Sequence, residues 1–174
     1  MNSLLPTWLN SLKHYVQMSL FLSSPAKLPY SQASLFLTVL AYILVGEFLL
    51  GDERGLISII IQISFEVIIL FAISFITLKL TNKPQRLLQT VSALIGVSLI
   101  ISVTSLLIMF LLPESGDAEQ INPLVLKLNL LLLLWNLAAI SLIFKRSFEI
   151  RTITAGFIAL NYFVFYEFLL INFF

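Results

Sequence analysis

The stretch from Leu87 to Leu112 contains no charged residue, and it constrains the fold of this chain more than any other. A helix needs roughly 20 mostly apolar residues to cross the hydrocarbon core of a membrane, and this stretch exceeds that length. Four further apolar stretches of similar length occur, and 59% of the chain is hydrophobic. Because a water-soluble core has no room for so many long apolar stretches, the pattern indicates an integral membrane protein.

Polar breaks between the apolar stretches predict the domain organisation. We predict an all-α integral membrane protein with a short amphipathic N-terminal helix in residues 1–30 and a five-helix transmembrane bundle in residues 31–174. The predicted spans are about residues 32–50, 56–78, 87–112, 123–144 and 152–174. They are separated by a glycine-bracketed turn at Gly51–Gly55, a basic turn near Lys83, an acidic loop at Pro113–Gln120 and a basic turn at Lys145–Arg151.

The amino-terminal segment has the periodicity of an amphipathic helix over residues 3–22. Its apolar residues recur at three- and four-residue steps, whereas its polar residues lie on the other side. Two interpretations stay open: a helix in the headgroup layer, or a helix packed under the bundle as ordinary core. The apolar residues are Leu5, Trp8, Leu9, Leu12, Val16 and Leu20, and the polar ones are Asn10, Lys13, His14 and Gln17.

The distribution of lysine and arginine among the turns predicts the orientation. Cytoplasmic turns carry an excess of these residues. Arg54 is the one basic residue in the first turn, and the acidic loop has none. We therefore expect a cytoplasmic amino terminus and a carboxyl terminus outside. The cytoplasmic set is Lys13, Lys27, Lys79, Lys83, Arg86, Lys145, Arg146 and Arg151.

Four ionisable residues fall within the predicted spans: Glu47, Glu66, Lys127 and Glu167. Each costs about 2.5–3.5 kcal/mol to insert, so each needs a partner or a wet cavity. One interpretation is an intramembrane polar cluster, completed by Gln62, that opens outward and pairs Lys127 with Glu47 or Glu66. The other is that Glu47, Lys127 and Glu167 reach the headgroups by snorkelling. Because Glu66 is the deepest, near the midplane, we expect it to have a buried partner.

Small and amide side chains predict how the spans pack. Ser92 and Gly96, and Ser98 and Ser102, are spaced so that two helix backbones approach closely. This places the third span at the centre of the bundle, with a homodimer seam as the alternative. Asn136 is a candidate for an interhelical hydrogen bond. Trp135 is expected to pack against another helix, with its indole N–H donated to a carbonyl.

Several classes of function receive no support from the sequence. The chain has no cysteine, so disulfides and thiolate metal sites are excluded, and His14 is its single histidine. No catalytic motif is present, and a net charge of +1 gives no nucleic-acid footprint. We therefore expect no enzymatic activity, catalytic residue, metal, cofactor or nucleic-acid partner. The expected partners are membrane lipids and either another membrane protein or a second copy of the chain.

Two segments together resemble the Yip-domain family of five-pass membrane proteins. One is Lys83-Pro84-Gln85-Arg86-Leu87-Leu88-Gln89-Thr90-Val91-Ser92-Ala93-Leu94-Ile95-Gly96, and the other is Leu134-Trp135-Asn136-Leu137 followed by a basic turn and Ala155-Gly156. The small uncharacterised bacterial members are the more similar ones. The resemblance implies a helical bundle without catalysis in a bacterial inner membrane. Eukaryotic members act with small GTPases and carry a long cytoplasmic domain that this sequence lacks.

These features favour a non-enzymatic scaffold or accessory subunit that organises other membrane components. The alternative is a small transporter or channel subunit with a polar site around Glu66. A continuous wet path lined by Gln62, Glu66 and Lys127 favours transport, whereas a dry and tightly packed interior favours the scaffold.

Overall fold

A computed structural model describes residues 4–112 and 123–173, apart from the side chains of residues 50–54 and 173. Within those ranges the chain is all-helical, and five of its helices are long and apolar enough to cross a membrane, as the sequence predicts. The acidic loop lies outside the described residues. The helices are α1 Leu4–Ser19, α2 Gln32–Arg54, α3 Leu56–Leu80, α4 Leu87–Leu111, α5 Pro123–Phe148 and α6 Thr152–Phe173, with short 3-10 turns at Pro25–Lys27 and Pro84–Arg86.

Two of the predicted turns are wrong in their bounds. Helix α2 continues through Arg54, and α5 continues through Lys145 to Phe148. The predicted turn residues include good helix formers such as glutamate, lysine and arginine, and polarity alone does not end a helix. The chain reverses instead at single residues with positive φ: Gly55 at 72°, Asn82 at 57° and Glu149 at 56°.

Helix α4 forms the centre of the bundle, as expected for the third span. Every residue from Thr90 to Leu99 is buried, including the packing candidates Ser92, Gly96 and Ser98. The helix contacts α1, α2, α3 and α5. The small side chains of α4 therefore let four helices pack closely around it.

Helix α1 packs across α2, α4 and α5, and it has three sides rather than two. Its buried side consists of Ser11, Tyr15, Met18 and Ser19, which face the bundle. The predicted apolar stripe is largely turned away from the bundle, while Asn10 and Lys13 form a third, polar strip. Of the two open interpretations, the structure shows packing against the bundle, but the polar and aromatic side chains make the contact. The exposed apolar residues are Leu5, Leu9, Val16 and Leu20.

Specific contacts fix α1 in place. The Tyr15 ring occupies the space beside Gly96, where an added Cβ would lie 2.3 Å from Tyr15 Cδ1. The Tyr15 hydroxyl lies 3.3 Å from Thr38 Oγ1. Trp135 Nε1 donates to the Ser19 carbonyl at 2.7 Å, which confirms the partner predicted for this indole. Since Tyr15 is fully buried, α1 belongs to the core of the protein.

The α1–α2 linker, the α3–α4 turn and the α5–α6 turn meet at one end of the bundle. The Arg146 guanidinium donates to the Phe21 carbonyl at 3.0 Å and to the Ser23 carbonyl. Gln89 Nε2 donates to the Leu28 carbonyl at 2.7 Å. We call this the basic end. The chain has ten lysines and arginines, and only Arg54 and Lys127 belong to helix ends on the other side. The other side, with the α2–α3 turn, is the opposite end.

An ion-pair cluster joins two turns at the basic end. Glu149 pairs with Lys83, and it accepts from Arg86 Nη1 at 2.7 Å. Hydrogen bonds from Lys83 and Arg86 hold the pKa of Glu149 below its ordinary value of 4.5. A carboxylate whose pKa is lowered on folding stabilises the folded state at pH values above its ordinary pKa. This stabilisation is lost as the pH falls from the ordinary pKa through the lowered pKa.

We therefore expect Glu149→Gln to lower the melting temperature slightly at pH 7, because exposed ion pairs contribute little. The difference from the wild type should shrink as the pH falls below 4.5, where the native carboxylate takes up its proton. Thermal unfolding in detergent from pH 7 down to pH 3 measures this. A difference that stays constant across that range would contradict the assignment.

Candidate functional site

A layer of polar side chains crosses the middle of the bundle. Each of the five long helices contributes one residue at about 15–20 Å from its end at the basic end, at 1.5 Å per residue. We call this set the polar layer: Tyr42, Glu66, Ser98, Asn136 and Tyr162. Polar side chains at this depth lie far from both ends of the bundle, so they must bind one another or line a cavity.

Glu66 is the centre of the polar layer. Its side chain is only 5% exposed. Tyr42 donates its hydroxyl to Glu66 Oε2 at 2.8 Å, and Tyr162 donates to Glu66 Oε1 at 3.3 Å. Each carboxylate oxygen is therefore held by a phenol from a different helix, which fixes the carboxylate between α2, α3 and α6. The expectation of a buried partner for Glu66 agrees with this geometry.

Three cavities adjoin the polar layer and share lining residues. A cavity of about 170 Å³ is lined by Tyr42, Glu66, Asn136 and Tyr162 together with residues of α5 and α6. A second, of about 80 Å³, is also lined by Tyr42 and Glu66 and reaches Ser102. A third, of about 230 Å³, joins Ser102 to Asn136. Glu66, the deepest carboxylate of the bundle, therefore lines two of the three cavities.

The remaining predicted cluster residues divide into two groups. Gln62 Nε2 donates to the Tyr166 hydroxyl at 3.3 Å, and Gln62 lines the 80 Å³ cavity. Glu167 lines the 170 Å³ cavity. Glu47 lines none of the three cavities, and its Oε2 is buried without a hydrogen-bond partner among the described residues.

The structure differs from the expected pairing of Lys127. This side chain is exposed near the start of α5, and the ion pairs within the described ranges both belong to Glu149. Lys127 lies in the first turns of α5, near the opposite end. At 1.5 Å per residue, Asn136 of the polar layer lies about 13 Å further along this helix, so Lys127 does not reach the layer. Phenols, rather than a lysine, are the partners of Glu66.

Sequence reasoning missed the tyrosines, and a signal for them is present. Tyr162 and Tyr166 are four residues apart on one helical face, and their rings stack with centroids 6.0 Å apart. Tyr42 lies ten residues into its helix, as Tyr162 does, so both reach the depth of Glu66. Comparing the depths of polar residues between spans, and including tyrosine, would have found them.

In the half of the bundle nearer the basic end, α4 is tightly packed against its neighbours. Val91, Ala93, Leu94 and Ile95 are buried there, and Tyr15 fills the space at Gly96. In the part of the chain that the structure describes, no group of three histidine, aspartate or glutamate side chains is placed to hold a metal ion. We call residues 90–96 of α4, together with Tyr15, the packed floor. The three cavities lie on one side of it, because they contact α4 only from Ile101 onwards.

No family model, curated protein or solved structure matches the chain. Function is therefore inferred from the chemistry of the polar layer and its cavities.

Proposed function

We propose that this chain is a small, non-enzymatic, solute-binding membrane protein of the transporter or channel-subunit kind, with its site around Glu66. The observation that supports this most directly is a carboxylate at mid-depth that borders cavities and is held by hydroxyls alone. Intramembrane carboxylates are costly and commonly mark solute or ion pathways. The phenol donors fix the orientation of the Glu66 carboxyl group, and each of its oxygens can accept a further hydrogen bond from a bound solute.

The membrane and the orientation are part of the same proposal. We place the chain in a bacterial inner membrane, with the basic end and the amino terminus in the cytoplasm and the carboxyl terminus outside. The clustering of lysine and arginine at the basic end supports this orientation. In it, the cavities lie on the outer side of the packed floor, and the floor faces the cytoplasm. Membership of the small bacterial Yip-domain proteins remains a proposal, supported by the segments that resemble them.

A second candidate is the scaffold or accessory subunit. The packed floor favours it, because the buried residues there are typical of a dry, tightly packed interior. Lys127 is also absent from the cavities, although a transport path lined by Gln62, Glu66 and Lys127 was the expected sign of transport. The two candidates differ in whether water and solutes reach the polar layer.

Cysteine labelling separates these candidates, because the natural chain contains no cysteine. Ser102 lines two of the cavities, whereas Ser92, on the same helix, is 4% exposed within the packed floor. We expect a membrane-impermeant thiol reagent added outside intact cells to label Ser102→Cys. We expect Ser92→Cys to stay unlabelled, because no solvent reaches it. The two substitutions are chemically identical, so they form a matched pair.

The result that overturns the solute-binding proposal is an unlabelled Ser102→Cys in a folded protein. In that case the interior is dry and the scaffold takes its place. Labelling of Ser102→Cys only in inverted vesicles would keep the accessible cavity but reverse the proposed orientation.

A further inference from the structure

The 170 Å³ cavity carries information about the kind of solute that it accepts. Carboxylates from two helices line it, Glu66 and Glu167, and no lysine, arginine or histidine does. Since opposite charges attract strongly where the dielectric constant is low, the lining favours a cation over an anion or a neutral molecule. An isolated anion at this depth is also destabilising, and a cationic ligand would offset that cost.

Aromatic side chains line the same space. Tyr42, Tyr162, Phe163 and Tyr166 all contribute to the lining. A ring attracts a cation placed over its face, and groups of rings of this kind recognise ammonium ions. The stacked pair of Tyr162 and Tyr166, inclined at 17°, presents a broad aromatic wall.

Asn136 adds a hydrogen-bond acceptor that nothing in the described chain uses. Its Oδ1 is buried and has no partner, and the residue lines both this cavity and the 230 Å³ one. Buried polar atoms normally have a partner. An N–H group of a ligand bound in the cavity would supply one.

The same lining is poorly suited to a metal ion. Hard cations such as calcium take 6–8 oxygen ligands. Both oxygens of Glu66 already accept from phenols, and much of the remaining wall is leucine, isoleucine and phenylalanine. A volume of 170 Å³ corresponds to about six waters, at about 30 Å³ each, and is smaller than a site for a drug-sized molecule.

We propose that this cavity binds a small organic ammonium ion, with Glu66 and Glu167 providing the charge, the tyrosine rings the aromatic wall and Asn136 the acceptor. This rests on the proposed function and specifies its solute class. A site of this kind holds the cation by charge and aromatic contact, without a metal and without a covalent step.

Three probes of equal size and different charge test the solute class: propylammonium, 1-propanol and propionate. For purified protein in detergent, we expect propylammonium to raise the melting temperature by about 3 °C at ten times its dissociation constant. The expected dissociation constant is about millimolar, because the probe has only a few heavy atoms. The alcohol and the carboxylate should have no such saturable effect.

Variants link this effect to the cavity. Glu66→Gln keeps an acceptor for the phenols but removes the charge, so it should weaken propylammonium binding about tenfold or more. Glu167→Gln should weaken it less, because Glu167 is more exposed than the buried Glu66 and its charge is screened more strongly. Glu47→Gln removes a carboxylate that does not line this cavity, and it should leave binding unchanged.

Several results would overturn the inference. One is equal stabilisation by 1-propanol or propionate, another is stabilisation by sodium or potassium ions that equals that by propylammonium, and a third is binding that survives both Glu66→Gln and Glu167→Gln. This readout is independent of the cysteine labelling. A labelled Ser102→Cys without propylammonium binding refutes the solute class alone, whereas an unlabelled Ser102→Cys refutes the outward opening.

Discussion

Replacing Gly96 with alanine should destabilise the protein by about 2 kcal/mol and lower its melting temperature by roughly 4–8 °C. The new Cβ would lie 2.3–2.5 Å from three atoms of the Tyr15 ring. Tyr15 is fully buried between α1 and α4, so the ring cannot rotate into open space. The gain of about 1 kcal/mol in helix propensity is too small to offset the displaced ring. Thermal unfolding in detergent measures the loss.

Gly156→Ala is the matched control, because its Cβ would lie 3.6 Å from Ser141 Oγ, an ordinary contact distance. It should leave stability unchanged or raise it by up to about 1 kcal/mol, because no neighbour opposes the gain in helix propensity. Combining Gly96→Ala with Tyr15→Ala should cost less than the sum of the two single changes, since the first clash disappears with the ring. If Gly96→Ala and Gly156→Ala had the same effect on stability, α1 would not be docked as described.

Replacing Glu66 with leucine tests the polar layer itself. The substitution removes both acceptors, so the hydroxyls of Tyr42 and Tyr162 lose their partners at mid-depth. Each buried and unpartnered hydroxyl costs about 1–3 kcal/mol. The triple variant Glu66→Leu/Tyr42→Phe/Tyr162→Phe removes these hydroxyls as well. We expect it to be about 2–4 kcal/mol more stable than Glu66→Leu alone.

The triple variant should also be at least as stable as the wild type, because replacing a complete buried polar cluster with apolar side chains is often neutral or stabilising. Such a result would mean that the cluster is kept for function rather than for folding. Tyr30 provides the control, because its side chain is 71% exposed. Adding Tyr30→Phe to Glu66→Leu should restore none of the stability that Glu66→Leu loses. Rescue by Tyr30→Phe would show that the effect does not come from the polar layer.

The sequence predicts the helices well because a simple rule applies to long apolar stretches. Long apolar stretches must be helices, since every backbone polar group in the hydrocarbon needs an internal partner. The five spans and the central position of α4 follow from apolar length and from small residues such as Ser92 and Gly96. The bounds of α2 and α5 do not follow, because the residues Gly51–Arg54 and Lys145–Phe148 remain helical until Gly55 and Glu149 adopt positive φ.

The candidate site is predicted only in part, because it depends on which helices are neighbours. Glu66 stands out from its depth alone, whereas its partners come from α2 and α6 and are far away in sequence. Charge complementarity favours Lys127 as the partner, but its place near the opposite end keeps it out of reach. The buried side of α1 could not be predicted from periodicity either. Ser11 and Tyr15 are buried there because they hydrogen-bond to hydroxyl groups of α2, which is distant in sequence.

The docking of α1 has a consequence for biosynthesis. Of the described helices α1 is synthesised before the others, yet Gly96 and Trp135, which contact Tyr15 and Ser19, are made much later. The buried side of α1 therefore lacks these partners until α4 and α5 exist. Docking of α1 is accordingly among the last steps of assembly, although this helix precedes the rest of the bundle in the chain.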